Sequence, residues 1–403
     1  MRVFLPELPV ERACMSVDRL IFAQVMDFFP RHDFNACVRR YRGDRRSRSF
    51  SCRDQFMCLA FAQLTFRESS RDIETCLRTL DSKLYHAGLR GKVSRSTLAD
   101  ANRQHDWRIY ADFAHVLIRR ARELYAHETL SAALNETVYA LDSTTIDLCL
   151  SLLPWAPFRR RKAAIKLHTL LDLRGNIPSF VHVSHGKMHD VTVLDHLPLE
   201  PGAFYVMDRG YVDFLRLYRF MQAGAFFITR SKKNLDYTRR EARPIDKASG
   251  LRSDQTIVLA GPKSSRLYPA PLRRITYFDA DNERRFTFLT NDFTLPALVV
   301  AQVYRSRWQI ELFFKWIKQH LRIKAFYGTT ENAVKTQVWS AISVYVLVAI
   351  VKKELRIERS LYEILQILSL TLFENIPLFQ ALSTLPMHNP ETPLRNQRTL
   401  FDL

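Results

Sequence analysis

Tyr304, Arg307, Glu311 and Lys318 are the residues of this chain best spaced to do chemistry together. On an α-helix at about 100° per residue, counted from Tyr304, Arg307 falls near −60°, Glu311 near −20° and Lys318 near −40°. The four share a stripe of roughly 60° along about four turns. Trp308, Ile310, Leu312, Phe313, Phe314, Trp316, Ile317 and Leu321 are spread around every side of it, whereas a plain surface helix gathers its apolar residues on one face. Charges flanked in this way are partly buried and need a charged counterpart. A phosphate backbone with a bound cation suits a phenol, two cations and a carboxylate in line. An ordinary intrahelical ion-pair ladder is the other reading.

Glu311 alone is a poor cation site, and two further acids stand where they could join it. Asp142 follows the apolar run Val138-Tyr139-Ala140-Leu141, and Asp208 follows Ala203 to Met207. Asp is a poor strand residue, so its place at the end of each run calls for a reason. A turn or helix cap is the ordinary one. If the two strands are sheet neighbours, however, their carboxylates converge and repel unless one protonates or a cation lies between them. Oxygen ligands without soft partners favour Mg²⁺ or Mn²⁺ over zinc. Two such ions, about 3.5–4 Å apart, can activate a water or a 3′-hydroxyl and stabilise the leaving oxygen of a phosphodiester.

Other clusters carry less. His168, His182, His185 and His189 include an H-x₃-H spacing, but no Cys lies near enough in sequence to complete a local zinc site. They read as satisfied histidines, with His189-Asp190 within reach of the acids as support. The six cysteines contain no CxxC pair and read as reduced thiols. Arg39, Arg40, Arg42, Arg45, Arg46, Arg48 and Arg53 form a basic cluster, as do Arg159-Arg160-Arg161-Lys162. Each is either a solvated loop or a phosphate contact. Trp316 and Trp339 read as core.

These residues need elements to hold them. Residues 1–130 read as helical, with Ser94 placed to cap a helix. From about 136 strands appear: Val138 to Leu141, Ile165 to Leu173, and Ile177 to Val183 after a Gly175-Asn176 turn. A helix near 192–197, a strand at 203–207, a helix at 213–222 and a strand at 225–229 complete an open mixed α/β sheet. Residues 234–291 hold short β-like runs among basic residues, which reads as a β-rich insertion rather than a continuation of the sheet. One helix is expected from Leu298 to about Leu321, then apolar helices near 335–353 and 360–373.

Composition narrows the partners. The 403 residues carry 60 Lys+Arg against 41 Asp+Glu, a formal net charge of +19. That excess points to a polyanion, nucleic acid before an anionic membrane. Eleven glycines, with no GxGxxG or GxxxxGK[ST], argue against a phosphate-cradling loop. The apolar stretch Val338 to Val351 is shorter than the roughly 20 residues a span needs, so it reads as a buried helix. No signal-peptide core follows the first dozen residues, and the reading is a soluble intracellular protein without a membrane partner.

Tyr304-x₂-Arg307-x₃-Glu311-x₆-Lys318 resembles the Y-(2)-R-(3)-E-(6)-K signature of the insertion-sequence-four family of transposases. Leu141-Asp142-Ser143-Thr144-Thr145 and Met207-Asp208-Arg209-Gly210-Tyr211 resemble the segments that carry that family's first and second catalytic aspartates. The stretch Ser94 to Asp106 resembles its N-terminal domain. The resemblance covers nearly the whole chain. It implies an RNase H-like core interrupted by a β-rich insertion, with helical N- and C-terminal regions divided as 1–130, 131–233, 234–291, 292–330 and 331–403. It also implies Mg²⁺-dependent cleavage at element ends and strand transfer into target DNA, with Mn²⁺ substituting. Asp142, Asp208 and Glu311 would hold the metals; Tyr304, Arg307, Trp308 and Lys318 would contact DNA; Arg209 and His189 would support the acids. The partner would be double-stranded DNA, gripped by a homodimer in the bacterial cytoplasm at the nucleoid. In relatives that cut through a hairpin a flipped base stacks on tryptophan; Trp308 matches one such residue. The insertion holds no Trp, so Tyr237, Tyr277 or Phe278 would have to serve as a second. A catalytically inactive, transposase-derived DNA-binding protein is the alternative. A paired-carboxylate glycosidase is disfavoured, because a neutral sugar needs no cations beside Glu311.

Overall fold

Four consecutive apolar residues, Phe204–Met207, make a short, fully buried strand, β5, around which the sheet is organised. The computed structural model describes residues 19–45, 49–89, 92–130, 134–148, 155, 157–159, 162–321 and 327–383. Its first strands are β1 (Val138–Leu148), β2 (Pro157–Arg159), β3 (Lys162–Asp172) and β4 (Ile177–His185). β6 (Phe226–Arg230) follows β5 after a helix, α8 (Phe214–Gln222). β1, β3 and β4 pair antiparallel, while β1, β5 and β6 run parallel, giving the order β4-β3-β1-β5-β6. This is the RNase H-like mixed sheet.

Gly175 and Asn176 turn β3 into β4 with φ of +77° and +57°. The expected helix near 192–197 is instead a 3₁₀ segment, Asp190–Asp195. β1 does not end on Asp142 but continues to Leu148, because β3 pairs with it along its whole length. Only its parallel pairing stops there, at Leu141↔Met207, where β5 itself ends.

The β-rich segment also departs from expectation. β7 (Tyr237–Ala242), β8 (Leu251–Leu259), β9 (Leu272–Asp279) and β10 (Arg284–Thr290), with a short helix α9 (Pro262–Leu267), extend the sheet as β6-β10-β9-β8-β7. The join is β10 on β6, Phe288↔Arg230 to Thr290↔Ile228. The apolar end of β10 has its backbone groups satisfied by β6, while the basic and turn residues that suggested a separate unit lie further out. Arg273 is buried there, its guanidinium donating to both oxygens of Asp254 at 2.9 and 2.7 Å.

N-terminal to the sheet lie α1 (Ile21–Asp27), α2 (Arg31–Arg40), α3 (Cys52–Leu64), α4 (Ser70–Thr79), α5 (Asp81–Leu84), α6 (Arg95–Gln104) and α7 (Trp107–Leu124). Ser94 does cap α6, accepting from Thr97 N at 3.1 Å. After β10 come α10 (Ala297–Arg305), α11 (Trp308–Leu321), α12 (Glu331–Glu354), α13 (Leu361–Thr371) and α14 (Leu378–Ser383). α12 is apolar and long enough to cross a membrane, but 94% of its most apolar window is buried inside the protein, against α3, α7 and the sheet. One core thus joins the N-terminal helices, α12 and one face of the sheet; a second lies on the other face beneath α8.

Candidate active site

The helix expected from Leu298 to Leu321 breaks at Ser306-Arg307. Ser306 Oγ donates back to Val303 O at 2.7 Å, and Arg307, Gln309 and Ile310 bond three rather than four residues back. Such local bonds compete with the helical ladder. Tyr304 therefore lies on α10, Arg307 in the break, and Glu311 and Lys318 on α11. The linear stripe becomes a corner.

That corner faces Asp142. Arg307 Nη1 donates to Asp142 Oδ2 at 2.8 Å, and Nη2 donates to Glu311 Oε1. Asp142 and Asp208 are one residue beyond the last parallel pair of β1 and β5, strands about 4.8 Å apart. Burial, helped by neighbouring Glu311 and Asp208, pushes the Asp142 carboxyl up to about 6. Arg307 and the Ser143 N–H, which donates to Asp142 Oδ1 at 2.8 Å, act in the opposite sense. The three acids are not fully closed on one point. Among the described residues the set with all ligand atoms within 4.8 Å of one another is Asp44, Cys52 and His105, in the N-terminal helices.

The acids nevertheless fit a hard divalent cation. Asp208 Oδ1 is buried with no hydrogen-bond partner among the described residues, a costly state for a carboxylate oxygen. It stands beside a second carboxylate, and the donors here are oxygens.

Tyr304 is buried against Phe288, their rings 4.8 Å apart. Burial holds its phenol up at about 12, so it is a proton donor at neutral pH. Trp308 is 48% exposed, as is Leu312 one turn on. Lys318 is exposed two turns beyond Glu311, about 10 Å along the axis. Arg209 is exposed in the 3₁₀ turn that follows Asp208. His189 is exposed and precedes the other 3₁₀ segment.

It is the neighbour of His189 that reaches inward. Asp190 Oδ1 accepts from Ser143 Oγ at 2.6 Å and from Lys166 Nζ at 3.1 Å, bracing the strand one residue past Asp142. The sequence marked the His189-Asp190 pair as support for the acids, and of the two it is Asp190 that makes the contact. The histidines do not converge: His168 binds Ser184 Oγ at 2.9 Å, and His182 stacks on His196. Tyr237 and Phe278, considered for base stacking, each carry an arginine over the ring, Arg274 and Arg252. Tyr277 is half-buried. Of the N-terminal arginines, Arg40 pairs with Asp112 and Arg53 donates to Gly88 O. Arg46, Arg48, Arg160 and Arg161 lie outside the described residues.

Residues 134–347 match the family described as transposase DDE domain, and residues 18–90 match a domain of unknown function, DUF4372. The chain is 36% identical over 238 residues to y4zB of Sinorhizobium fredii, named a transposase, covering 58% of this chain and 66% of that one. It is 34% identical over 209 residues to the transposase named for insertion sequence element IS5377 of Geobacillus stearothermophilus, covering 51% and 54%. A third relative, named for IS4SA of Synechocystis sp., is 26% identical over 290 residues, covering 68% and 76%. The alignments thus span less than two thirds of the first two relatives. A piggyBac transposase synaptic complex with hairpin DNA is similar at TM-score 0.49 and 10% identity, covering 94% of this chain and 84% of that one. The chain belongs to the transposase DDE domain family.

Proposed function

We propose that this protein cuts DNA at the ends of an insertion sequence and joins those ends to target DNA, with Mg²⁺ or Mn²⁺ held by Asp142, Asp208 and Glu311. The observation that carries the reading is the meeting of Asp142, Asp208 and the Arg307–Glu311 corner at the end of the β1–β5 pair. When bound, such cations activate a water or 3′-hydroxyl and stabilise the leaving oxygen. The chain's own residues do the rest. Arg307 and Lys318 offer charged donors to the phosphates, Tyr304 a neutral phenol donor, and exposed Trp308 a face for a base. Asp190, through Ser143, holds the strand that carries Asp142. Arg209 lines the approach beside Asp208. The division of labour follows the same reading: an N-terminal helical DNA-binding region to residue 130, a catalytic core carrying the β-rich segment 234–291 on its sheet edge, and a helical C-terminal region. Two copies would pair two ends, working in the cytoplasm.

The test is cleavage of DNA carrying the ends that flank the protein's own gene, in Mg²⁺, by the wild type and by Glu311→Gln. End-specific cuts by the wild type, reduced at least a thousandfold in the variant, are expected. Equal cutting by the variant would remove Glu311 from the site. Binding to the ends without cutting in either metal would replace the enzyme by a transposase-derived DNA binder.

A further inference from the structure

We propose that Arg307 couples DNA engagement to cation loading, so that the acids take up metal well only once DNA has drawn the guanidinium away. The inference rests on the reading of those acids as cation ligands. One guanidinium donates through Nη1 to Asp142 and through Nη2 to Glu311, so a single side chain spans two of the three carboxylates. Arg307 and Asp142 are both largely buried, with side chains 18% and 23% exposed, while Glu311 is open at 53%. Water therefore screens the Arg307–Asp142 contact poorly. A divalent cation on Asp142 and Glu311 would compete with the guanidinium for the same oxygens, and the two cations repel.

A DNA phosphate changes the balance. It offers the guanidinium fork a pair of anionic oxygens of matching geometry. Arg307 sits in the break between α10 and α11, beside exposed Trp308 and one turn from exposed Glu311, so a strand arriving over α11 passes next to it. Turning toward the phosphate frees both carboxylates, whereas retreating from it restores the ion pairs. Coupling of this kind is reciprocal: DNA raises cation affinity by the factor by which cation raises DNA affinity. Its consequence is that a free protein with empty hands does not carry a loaded nuclease centre.

Mn²⁺ binding to the full chain, read by electron paramagnetic resonance of the free ion, tests this without measuring cleavage. The titration is run with and without a duplex copied from the DNA flanking the gene, corrected for Mn²⁺ on the duplex alone. For the wild type the duplex is expected to tighten Mn²⁺ binding about tenfold, within the usual range of coupled sites. Arg307→Gln, checked for native folding by thermal melting, should bind Mn²⁺ tightly without DNA and gain less than about twofold from it. Should that variant not fold, Arg307→Lys serves: it keeps the charge but not the fork, and its DNA-free Mn²⁺ affinity should exceed that of the wild type. An unchanged or weaker DNA-free affinity in the folded variant overturns the proposal. Equal wild-type affinities with and without duplex, in a protein that cuts DNA in Mn²⁺, overturn it while leaving the proposed function standing. No Mn²⁺ binding in either condition overturns both.

Discussion

Asp142 and His168 sit on adjacent strands, yet burial moves them in opposite directions. Both resist the charged form, so the carboxyl is pushed up to about 6 and the imidazole down to about 4. For His168 the folded state binds its proton less readily than the unfolded chain. Its contribution to stability is complete above the ordinary value of 6.5 and is lost as pH falls through the interval down to about 4. For Asp142 the sign is reversed, and stability is lost as pH rises from 3.8 through about 6. The two overlap, so the test is a difference. His168→Gln, with an amide that can still meet Ser184, should melt with a flatter acid limb than the wild type between pH 6.5 and 4, measured without metal. An identical pH profile would mean that His168 is neutral in both states or charged in both.

At the scale of elements, the β3–β4 turn and the α10–α11 break set the geometry. Gly175 has φ of +77°, and a Cβ there would lie 2.2 Å from the Tyr125 ring. Next to it, Asn176 O accepts from the Tyr345 hydroxyl at 3.1 Å, pinning the hairpin to α12. Gly175→Ala thus meets both backbone strain and a rigid ring, and should cost roughly 2–4 kcal/mol, seen as a lower denaturation midpoint with an unchanged urea slope. A cost below about 0.5 kcal/mol would show that the turn and Tyr125 shift freely. The break matters differently. A straight helix would carry Tyr304 and Lys318 on one line, whereas two helices let Tyr304 pack on Phe288 while Arg307 reaches Asp142.

Over the whole molecule the charge is spread beyond the site. β7 is the edge strand of the extended sheet, and Arg239 and Arg240 on it are exposed. Cations on an edge discourage strand-to-strand aggregation, and on a protein of net charge +19 they also extend the field that attracts DNA. Duplex affinity should fall steeply with salt, by about 10³ or more between 50 and 200 mM if six or more phosphates are neutralised. If β7 lies along that path, replacing Arg239 and Arg240 together by Ala should reduce the slope of log affinity against log salt by about two, leaving the cutting rate of bound DNA unchanged. An unchanged slope would place the DNA elsewhere.

Much of this was legible before any coordinates. The alternation and length of apolar runs identified β1, β3, β4, β5 and β6: a strand buried on both faces, such as β5, leaves few ways to be written, and the half-buried β4 followed a turn signal at Gly175-Asn176. The acids stood out because Asp is out of place beside such runs, and the Tyr304–Lys318 spacing stood out because its chemistry is shared along a helix. What the sequence could not decide were relations set by pairing and packing between distant segments. That β1 outlasts β5, that β10 docks on β6 and carries the β-rich segment into the sheet, and that Ser306 ends a helix all depend on partners dozens of residues away or on competing hydrogen bonds of similar strength. His189-Asp190 was legible as support for the acids, but that Asp190 is the one that bonds Ser143, while His189 stays exposed, is decided only by the fold. Residue chemistry is local and can be read along the chain; which carboxylate meets which cation is a property of the folded sheet.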